Sequence, residues 1–329
     1  MKICFVDSIK LEYSFEDINN QKIRGAESIL INLSKALSLN GLDVMVFTNC
    51  KKENSLKNYS WLSLNRIDEF KNNFDIVISN NDTQILDKFN CKKKFVISHS
   101  IQSIEKAFRK KQLISYFRNK PKYLLLGNYH KSQMSKIFSI YGTDIIDYGV
   151  DNIFETTKIS NLKDNKLSFF TSRQDRNLDI LVEVWKENIF NKDLKYKLFV
   201  TPIKKNLEQF NIFNRDMLNK DAFVKQISGC RMIILPGHKA ELYCLSALEA
   251  AELCLPVVTM GIGSLSERVE HNITGLISKN KHDFARDILE MYNNDDMWNE
   301  LRNNLISRRG QNSWTKAAKN FFKIISNDK

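Results

Sequence analysis

Short apolar runs along this chain alternate with longer stretches in which apolar residues recur at helical spacing. Ile3–Val6 is the first such run, and after a polar stretch the positions Ala26, Ile29, Leu33 and Leu37 share one helical face. Comparable runs follow at 44–47, 76–78, 95–97, 123–126 and 145–146. Runs that are apolar at consecutive positions are typical of strands buried on both faces, and strands alternating with helices indicate a parallel sheet.

The pattern restarts after a polar segment, residues 155–166. Strand-like runs then lie at 167–170, 197–200, 232–235, 257–259 and 276–277, with a helical stretch at 178–185. We therefore predict two doubly wound α/β domains, the first covering residues 1–155 and the second beginning at residue 156. In such sheets ligands bind beyond the carboxyl ends of the strands, and the cleft between two such domains is the default site.

Composition narrows the class of protein. With 43% hydrophobic and 27% charged residues, the 329-residue chain has a globular composition. No apolar run approaches the ~18 residues of a membrane-spanning helix, and the N-terminus lacks the apolar core of a signal peptide, so we expect a cytoplasmic protein. None of the six cysteines has the spacing of a zinc site, and we expect them to be reduced.

The formal charge of +12 is concentrated in one segment, since residues 91–122 hold ten basic residues and a single acid, Glu105. Apolar residues in this segment can share a helical stripe, interrupted at Gln112, and basic residues crowd the remainder. The stripe is formed by Ile101, Ile104, Phe108, Leu113 and Phe117, and the basic positions include Arg109, Lys110, Lys111 and Arg118. Two interpretations stay open: a helix that binds an anionic membrane surface or acceptor, and a core helix with a solvated basic face.

A nucleic-acid partner is not expected, because the chain has no RNA-recognition aromatic motif, helix-turn-helix signature or zinc finger. A polyanion-binding protein remains an alternative because the isoelectric point is about 9.3.

Candidate chemistry is concentrated in residues 232–277. A buried strand ends at Gly237, Glu241 precedes a helical stretch, and Glu249 follows eight positions later, which would place both glutamates on roughly the same side. A second strand ends in a small-residue loop containing Gly261 and Gly263, and a helix with Glu267 in its first turn follows. Such a loop at a helix N-terminus suits a diphosphate, and carboxylates accept hydrogen bonds from sugar hydroxyls, with Glu249 facing the ribose and Glu241 the transferred sugar. On spacing alone, solvated glutamates or a weak dinucleotide site are alternatives.

The order of these residues resembles the retaining GT-B glycosyltransferases, family 4 in particular. The matching elements are Glu241, seven residues, Glu249, Ala250, Pro256-Val257-Val258, Gly261/Gly263, Glu267 and Thr274-Gly275. The resemblance implies an α/β GT-B fold, with two Rossmann-like doubly wound domains facing a cleft. It also implies a nucleotide-diphosphate sugar donor, of UDP, GDP or ADP type, with no resident cofactor and with retention of configuration. No D-x-D triad is present, so no catalytic metal is expected.

The resemblance extends to the rest of the chain. Arg24-Gly25-Ala26-Glu27 is similar to the family's loop near donor phosphate and acceptor, His99 to a histidine near the reacting sugar, and Arg173 with Arg176 to the basic pair that holds the diphosphate. Trp314 falls where a C-terminal helix, residues 311–329, returns to the first domain, so the second domain would end at residue 310. The implied catalytic residues are His99 and Glu241, and the implied donor-binding residues are Gly25, Arg173, Arg176, Leu245, Ser246, Glu249, Gly261, Gly263 and Glu267.

Three positions depart from the family pattern: Leu242-Tyr243-Cys244 replaces Gly-Phe-Gly, Arg176 replaces a lysine, and Arg24 replaces a glycine. The predicted function is sugar transfer to a glycan or lipid-linked acceptor in bacterial surface polysaccharide or lipopolysaccharide synthesis, at the cytoplasmic face of the membrane. An inactive GT-B scaffold subunit of a glycosylation complex is the alternative that the Leu242–Cys244 departure motivates.

Overall fold

The computed structural model describes residues 1–19, 23, 25–159 and 166–327. Its chain divides into an N-terminal unit, Met1–Gly149 with Trp314–Lys329, and a C-terminal unit, Val150–Ser313. The polar segment at which the sequence pattern restarts begins at Glu155, a few residues inside the C-terminal unit. Arg24 lies outside the described residues.

The N-terminal unit is built on a sheet that has eight strands in its described residues, in the order β3-β4-β2-β1-β5-β6-β7-β8. All neighbouring pairs are parallel except β3 with β4. The strands are β1 (Lys2–Val6), β2 (Asp43–Thr48), β3 (Asn54–Leu56), β4 (Tyr59–Ser63), β5 (Ile76–Asn80), β6 (Lys93–Ile97), β7 (Lys122–Leu125) and β8 (Thr143–Ile145). Sequence patterning missed β3 and β4, because these edge strands mix polar residues with apolar ones.

Helices pack on this sheet and bury an aromatic-rich core around Phe47, Phe89 and Tyr116. They are α1 (Gly25–Leu39), α2 (Ile67–Phe70), α3 (Ile104–Arg109), α4 (Leu113–Asn119) and α5 (Asn128–Gln133). Short 3-10 turns lie at Phe15–Asn19, Leu64–Arg66, Gln84–Lys88 and Lys136–Ser139. The first helix confirms the predicted apolar face and ends before Gly41, whose positive φ of 87° suits a glycine that follows a helix.

The C-terminal unit contains an all-parallel sheet in the order β11-β10-β9-β12-β13-β14, counted over its described strands. The strands are β9 (Leu167–Phe169), β10 (Lys197–Val200), β11 (Ile212–Asn214), β12 (Met232–Gly237), β13 (Val257–Ile262) and β14 (Gly275–Ile277). The helices are α6 (Asn152–Thr156), α7 (Leu178–Val184), α8 (Lys220–Ser228), α9 (Leu245–Glu252), α10 (Leu265–Arg268), α11 (Lys281–Asn293) and α12 (Asp295–Arg308). A π-helical turn, Trp185–Ile189, extends α7, and a 3-10 turn lies at Glu208–Phe210.

The last helix, α13 (Trp314–Ser326), belongs to the N-terminal unit, where it packs on α1. Its buried Phe321 stacks with Phe5 of β1 at 6.1 Å between ring centroids. The chain therefore leaves the N-terminal unit once and returns to it after α12. No helix in the described part of the chain is long and apolar enough to cross a membrane.

Candidate active site

The loops that carry most of the predicted donor-binding residues lie at one edge of the C-terminal sheet. Residues 170–177 follow β9, residues 238–244 follow β12, and residues 263–264 follow β13. Because β9 neighbours β12 and β12 neighbours β13, the three loops meet at the carboxyl ends of adjacent parallel strands. This edge is where doubly wound sheets bind ligands.

Close backbone contacts hold these loops in place. A Cβ atom on Gly263 would lie 2.9 Å from the Glu241 carbonyl oxygen and closer still to that of His238, and one on Gly237 would lie 2.6 Å from the Ile262 oxygen. The Ser264 N–H donates to the Glu241 carbonyl at 3.0 Å. Gly263 has a φ of 75°, a conformation that glycine adopts without strain. Glycine is therefore required at these positions to fix the backbone that carries Glu241.

Gly261 differs from the sequence-based expectation, because it lies within β13 and not in a loop after the strand. Its φ is 66°, and its N–H donates to the Thr259 hydroxyl at 3.0 Å.

The Glu241 carboxylate has an unused hydrogen-bonding oxygen. Ser172 Oγ donates to Oε1 at a long 3.5 Å, while the buried Oε2 has no hydrogen-bond partner among the described residues. Burial raises the pKa of this carboxyl, and the nearby Cys244 thiol and Arg176 guanidinium act in the opposite direction. A buried acceptor without a donor is costly, so this oxygen is suited to receive a hydroxyl from a ligand.

Two arginines beside this carboxylate share a single counter-charge. Arg173 Nη2 and Arg176 Nη1 both donate to Asp175 Oδ2, at 2.7 and 2.8 Å. The Arg173 side chain is 74% exposed and that of Arg176 is 16% exposed. Two cations and one anion leave a net positive charge, which suits a diphosphate. The sequence did not single out Asp175, although its place between the two arginines was a usable signal.

Helix α9 begins at Leu245, after Cys244 in a left-handed conformation with a φ of 61°. Leu245 and Ser246 thus occupy its first turn, where backbone N–H groups lack partners within the helix. Glu241 lies in the preceding loop and Glu249 within the helix. The expectation that two helical turns separate the two glutamates is therefore wrong, because the interval contains a loop followed by a single turn.

Glu249 lies among charged groups that sequence reasoning had not assembled. Burial raises the pKa of its carboxyl to about 7, Lys220 and Arg215 oppose the rise, and Asp151 adds to it. Lys220 Nζ also forms an ion pair with Asp151.

Arg215 directly follows β11, and its N–H donates to the Val200 carbonyl at 2.8 Å. Its guanidinium lies 4.9 Å from the centroid of the Phe223 ring, and its buried Nε has no hydrogen-bond partner in the described chain. The three-residue strand β11 gave no apolar run, so the position of Arg215 at a strand end was not recognised from the sequence.

Stability should fall as pH rises through the range in which Glu249 ionises. Its pKa of about 7 exceeds the ordinary value of 4.5, so between these values the unfolded chain loses a proton that the folded chain keeps. The favourable contribution is complete below the ordinary pKa and is lost as pH approaches 7. We expect Glu249→Gln to remove this dependence from the free energy of unfolding, measured in urea from about pH 5 to about pH 8. Parallel profiles for the two proteins would contradict the assignment.

Glu267 is exposed on α10 and lines a cavity of about 210 Å³ with Leu248, Glu252 and Arg308. Leu248 and Glu252 lie on α9 next to Glu249 in sequence, so this cavity adjoins the helix that carries Glu249. The structure thus brings Glu241, Arg173 and Arg176 together and gives Glu267 a separate set of neighbours.

Gly25 and His99 belong to the N-terminal unit. Gly25 is the first residue of α1, and His99 follows β6. The His99 N–H donates to Asn81 Oδ1 at 2.7 Å, and its ring stacks with Tyr148 at 6.0 Å between centroids. Burial lowers the pKa of His99 to about 3, with a contribution from His130. The imidazole is therefore neutral at physiological pH and able to donate or accept a hydrogen bond.

The basic residues Arg109, Lys110, Lys111 and Arg118 are exposed on α3, on α4 and in the turn between them. The predicted break at Gln112 is confirmed, because this residue separates the two helices. The core-helix interpretation is wrong for most of the apolar stripe, since Ile104, Phe108 and Phe117 are exposed.

Comparison with known families gives one match within the C-terminal unit. Residues 202–309 match the family described as glycosyl transferases group 1. The matched range contains Glu241, Glu249 and Glu267, and the chain resembles that family there. A search of curated proteins gives no match.

Solved structures match nearly the whole chain. Sucrose-phosphate synthase from Thermosynechococcus elongatus has a TM-score of 0.72 at 12% identity, covering 99% of this chain and 98% of its own. Anabaena Alr3699/HepE in complex with UDP has a TM-score of 0.72 at 15% identity, covering 99% and 100%. WaaG, a glycosyltransferase involved in lipopolysaccharide biosynthesis, has a TM-score of 0.69 at 12% identity, covering 99% and 100%. At such identities the likeness shows the fold, which is the GT-B fold that the sequence predicted.

Proposed function

We propose that this chain, which resembles the group 1 glycosyltransferases and has the GT-B fold, transfers a sugar from a nucleotide-diphosphate sugar to an acceptor. The observation that carries the proposal is the Glu241 carboxylate, whose buried Oε2 lacks a hydrogen-bond donor in the described residues. Arg173 and Arg176 follow the adjacent strand and supply the charge that a diphosphate needs. One sheet edge thus offers an acceptor for sugar hydroxyls beside donors for phosphate oxygens.

Each group has a proposed role in the transfer. As the bond between the anomeric carbon and the diphosphate oxygen breaks, negative charge grows on the departing diphosphate. Arg173, Arg176 and the first backbone N–H groups of α9 would stabilise that charge without a metal ion. Glu241 would bind hydroxyls of the transferred sugar and favour positive charge at its anomeric carbon, and Glu249 would accept hydroxyls of the ribose.

The acceptor hydroxyl would add to the anomeric carbon with retention of configuration, as the resemblance implies, and its proton would pass to the departing diphosphate. His99, neutral in the folded chain, would hydrogen-bond a sugar hydroxyl and would not supply the proton.

The Leu242-Tyr243-Cys244 departure fits an active protein better than a scaffold. All three residues are buried, and Arg268 holds Tyr243 by donating to its carbonyl oxygen at 3.0 Å, with its guanidinium 3.9 Å from the ring centroid. Cys244 occupies the left-handed conformation that a glycine would favour, so the turn into α9 is kept at a backbone cost of about 1 kcal/mol. This turn places Glu241 next to the start of α9.

The donor is tested by titrating the full chain with UDP, GDP and ADP by calorimetry. We expect at least one to bind, and the alanine variants of Arg173 and Arg176 combined to weaken it about 100-fold, since charge-assisted hydrogen bonds contribute about 1.5–3 kcal/mol each. Asp175→Asn should instead tighten binding several-fold, because it removes the anion that competes with phosphate. Lys225→Ala, an exposed cation on α8, serves as the control and should change nothing. If none of the three nucleotides binds, the proposed function is wrong.

For the acceptor, we propose a glycan or lipid-linked glycan of a bacterial surface polysaccharide, made at the inner face of the cell membrane. The listed departures and the likeness to WaaG support this choice only at the level of fold and composition. Product analysis with the nucleotide sugar of the winning base, in the presence and absence of EDTA, would test the linkage, the retention and the metal independence.

A further inference from the structure

Two short helices of the N-terminal unit present large apolar side chains to the outside. Ile104 and Phe108 of α3 are 50% and 76% exposed, and Ile114 and Phe117 of α4 are 71% and 42% exposed. Their spacings of four and three residues place each pair on one helix face. Single exposed apolar residues are ordinary, but four within residues 104–117 form a patch of the kind that marks an interaction surface.

Basic residues surround these side chains. Arg109, Lys110, Lys111 and Lys120 are exposed, and none has an ion pair within the residues that the structure describes, whereas Arg118 pairs with Asp87 at 3.1 Å. Lys111 and Lys120 adopt positive φ values of 57° and 51°, where glycine or asparagine is usual. Strained backbone conformations persist where the surrounding structure enforces them, and they cluster at functional surfaces.

The opposite faces of both helices are anchored in the N-terminal unit. Gln112, buried between them, donates to the Asn81 carbonyl at 3.3 Å and to Asp82 Oδ1 at 3.1 Å. Its own carbonyl accepts from Thr83 Oγ1 at 2.9 Å, and Tyr116 is fully buried. Since these residues fix the inner faces, the four apolar side chains cannot turn inward, and the patch exists before any partner binds.

We propose that this surface, formed by Ile104, Phe108, Ile114 and Phe117 with Arg109, Lys110, Lys111 and Lys120, binds an anionic lipid bilayer. The cations lie where anionic headgroups are, and the four apolar side chains reach the boundary with the acyl chains. The charge is strongly one-sided, because Glu105 is the only acid in residues 91–122.

A groove on an acidic protein is the less suitable partner. A helix that binds in such a groove presents anchors at positions i, i+3 or i+4 and i+7 along one face. Helix α3 has six residues and α4 has seven, so each presents only two. A bilayer imposes no such length, and it accepts two short helices side by side.

This surface stands independently of sugar transfer, since its binding to lipid needs no nucleotide. If both proposals hold, the surface brings the protein to the membrane in which a lipid-linked acceptor resides.

The test is flotation of the full chain with phosphatidylcholine vesicles that contain or lack phosphatidylglycerol. We expect flotation only with the anionic lipid, and its loss at high salt. Combining Arg109→Gln, Lys110→Gln and Lys111→Gln should lower partitioning about 100-fold, because each nearby cation contributes about fivefold. Combining Phe108→Ser and Phe117→Ser should lower it by about tenfold or more.

The controls are Leu39→Ser and Ile140→Ser, which remove equally exposed apolar side chains from the same unit outside this surface. They should float like the parent chain, and all variants should keep its thermal unfolding profile, since only exposed side chains change. Failure of the parent chain to bind anionic vesicles would overturn the proposal and direct attention to a protein partner. Equal binding to neutral vesicles, or unchanged binding by the basic variant, would overturn it as well. Nucleotide binding, measured separately, reports on the proposed function alone.

Discussion

Replacing Glu241 with glutamine should reduce kcat/KM for sugar transfer by about 100-fold or more, while the Kd of the nucleotide diphosphate changes less than threefold or so. Glutamine keeps the size of the side chain but removes its charge and replaces one acceptor oxygen with a donor. The buried Oε2, which lacks a donor in the described chain, is the atom assigned to a sugar hydroxyl. Loss of this interaction affects the sugar and not the diphosphate, which Arg173 and Arg176 are assigned to hold.

Initial rates with the nucleotide sugar and calorimetry with the nucleotide alone separate these two effects. Glu300→Gln, an exposed carboxylate on α12, is the matched control and should leave both quantities unchanged. Full activity in Glu241→Gln would remove this residue from the site. Equal losses of transfer and nucleotide affinity would place it at the diphosphate instead.

Gly263→Ala should destabilise the C-terminal unit by about 3 kcal/mol, the sum of a left-handed backbone cost and a steric overlap. Its Cβ would lie 2.9 Å from the Glu241 carbonyl oxygen and nearer to that of His238, and both are backbone atoms that cannot rotate away. Relief requires the loop carrying Glu241 to move, so sugar transfer should fall even at temperatures where the variant is folded. Urea unfolding and initial rates measure the two consequences.

Gly41→Ala provides the control for the conformational part of this effect. Gly41 has a φ of 87°, but nothing lies within 4 Å of where its Cβ would be. We therefore expect a cost of about 1 kcal/mol and no loss of transfer. A Gly263→Ala variant that is no less stable than Gly41→Ala would show that the contact between the two loops is not rigid.

The central strands of both sheets follow directly from the sequence. Strands such as β1, β5, β12 and β13 are covered on both faces, so every position must be apolar and the run is visible without tertiary information. The short strands β3, β4 and β11 lie at sheet edges, where polar residues are tolerated, and the pattern missed them.

The candidate site divides along the same line. Glu241, Glu249 and the glycines were visible because their order along the chain is itself a pattern. Their surroundings were not, because Ser172 and Asp175 reach Glu241 and the two arginines from a different strand, and Lys220 and Arg215 come to Glu249 from other parts of the fold. The helical interval between the two glutamates was also misjudged, since a loop and a helix start cannot be distinguished by counting residues.

By itself, the sequence determined the fold class and the residue types of the site, because alternating burial and local motif spacing are properties of nearby positions. Only the tertiary structure decided which way the basic segment faces, since its apolar stripe fitted a core and a surface equally well until Gln112 and Tyr116 were seen to occupy the inner side. It also decided that Glu241 has an unused oxygen and that Glu249 keeps a proton to about pH 7. Burial and unpaired hydrogen-bonding atoms depend on residues distant in the chain, and that dependence is the physical reason the sequence could not supply them.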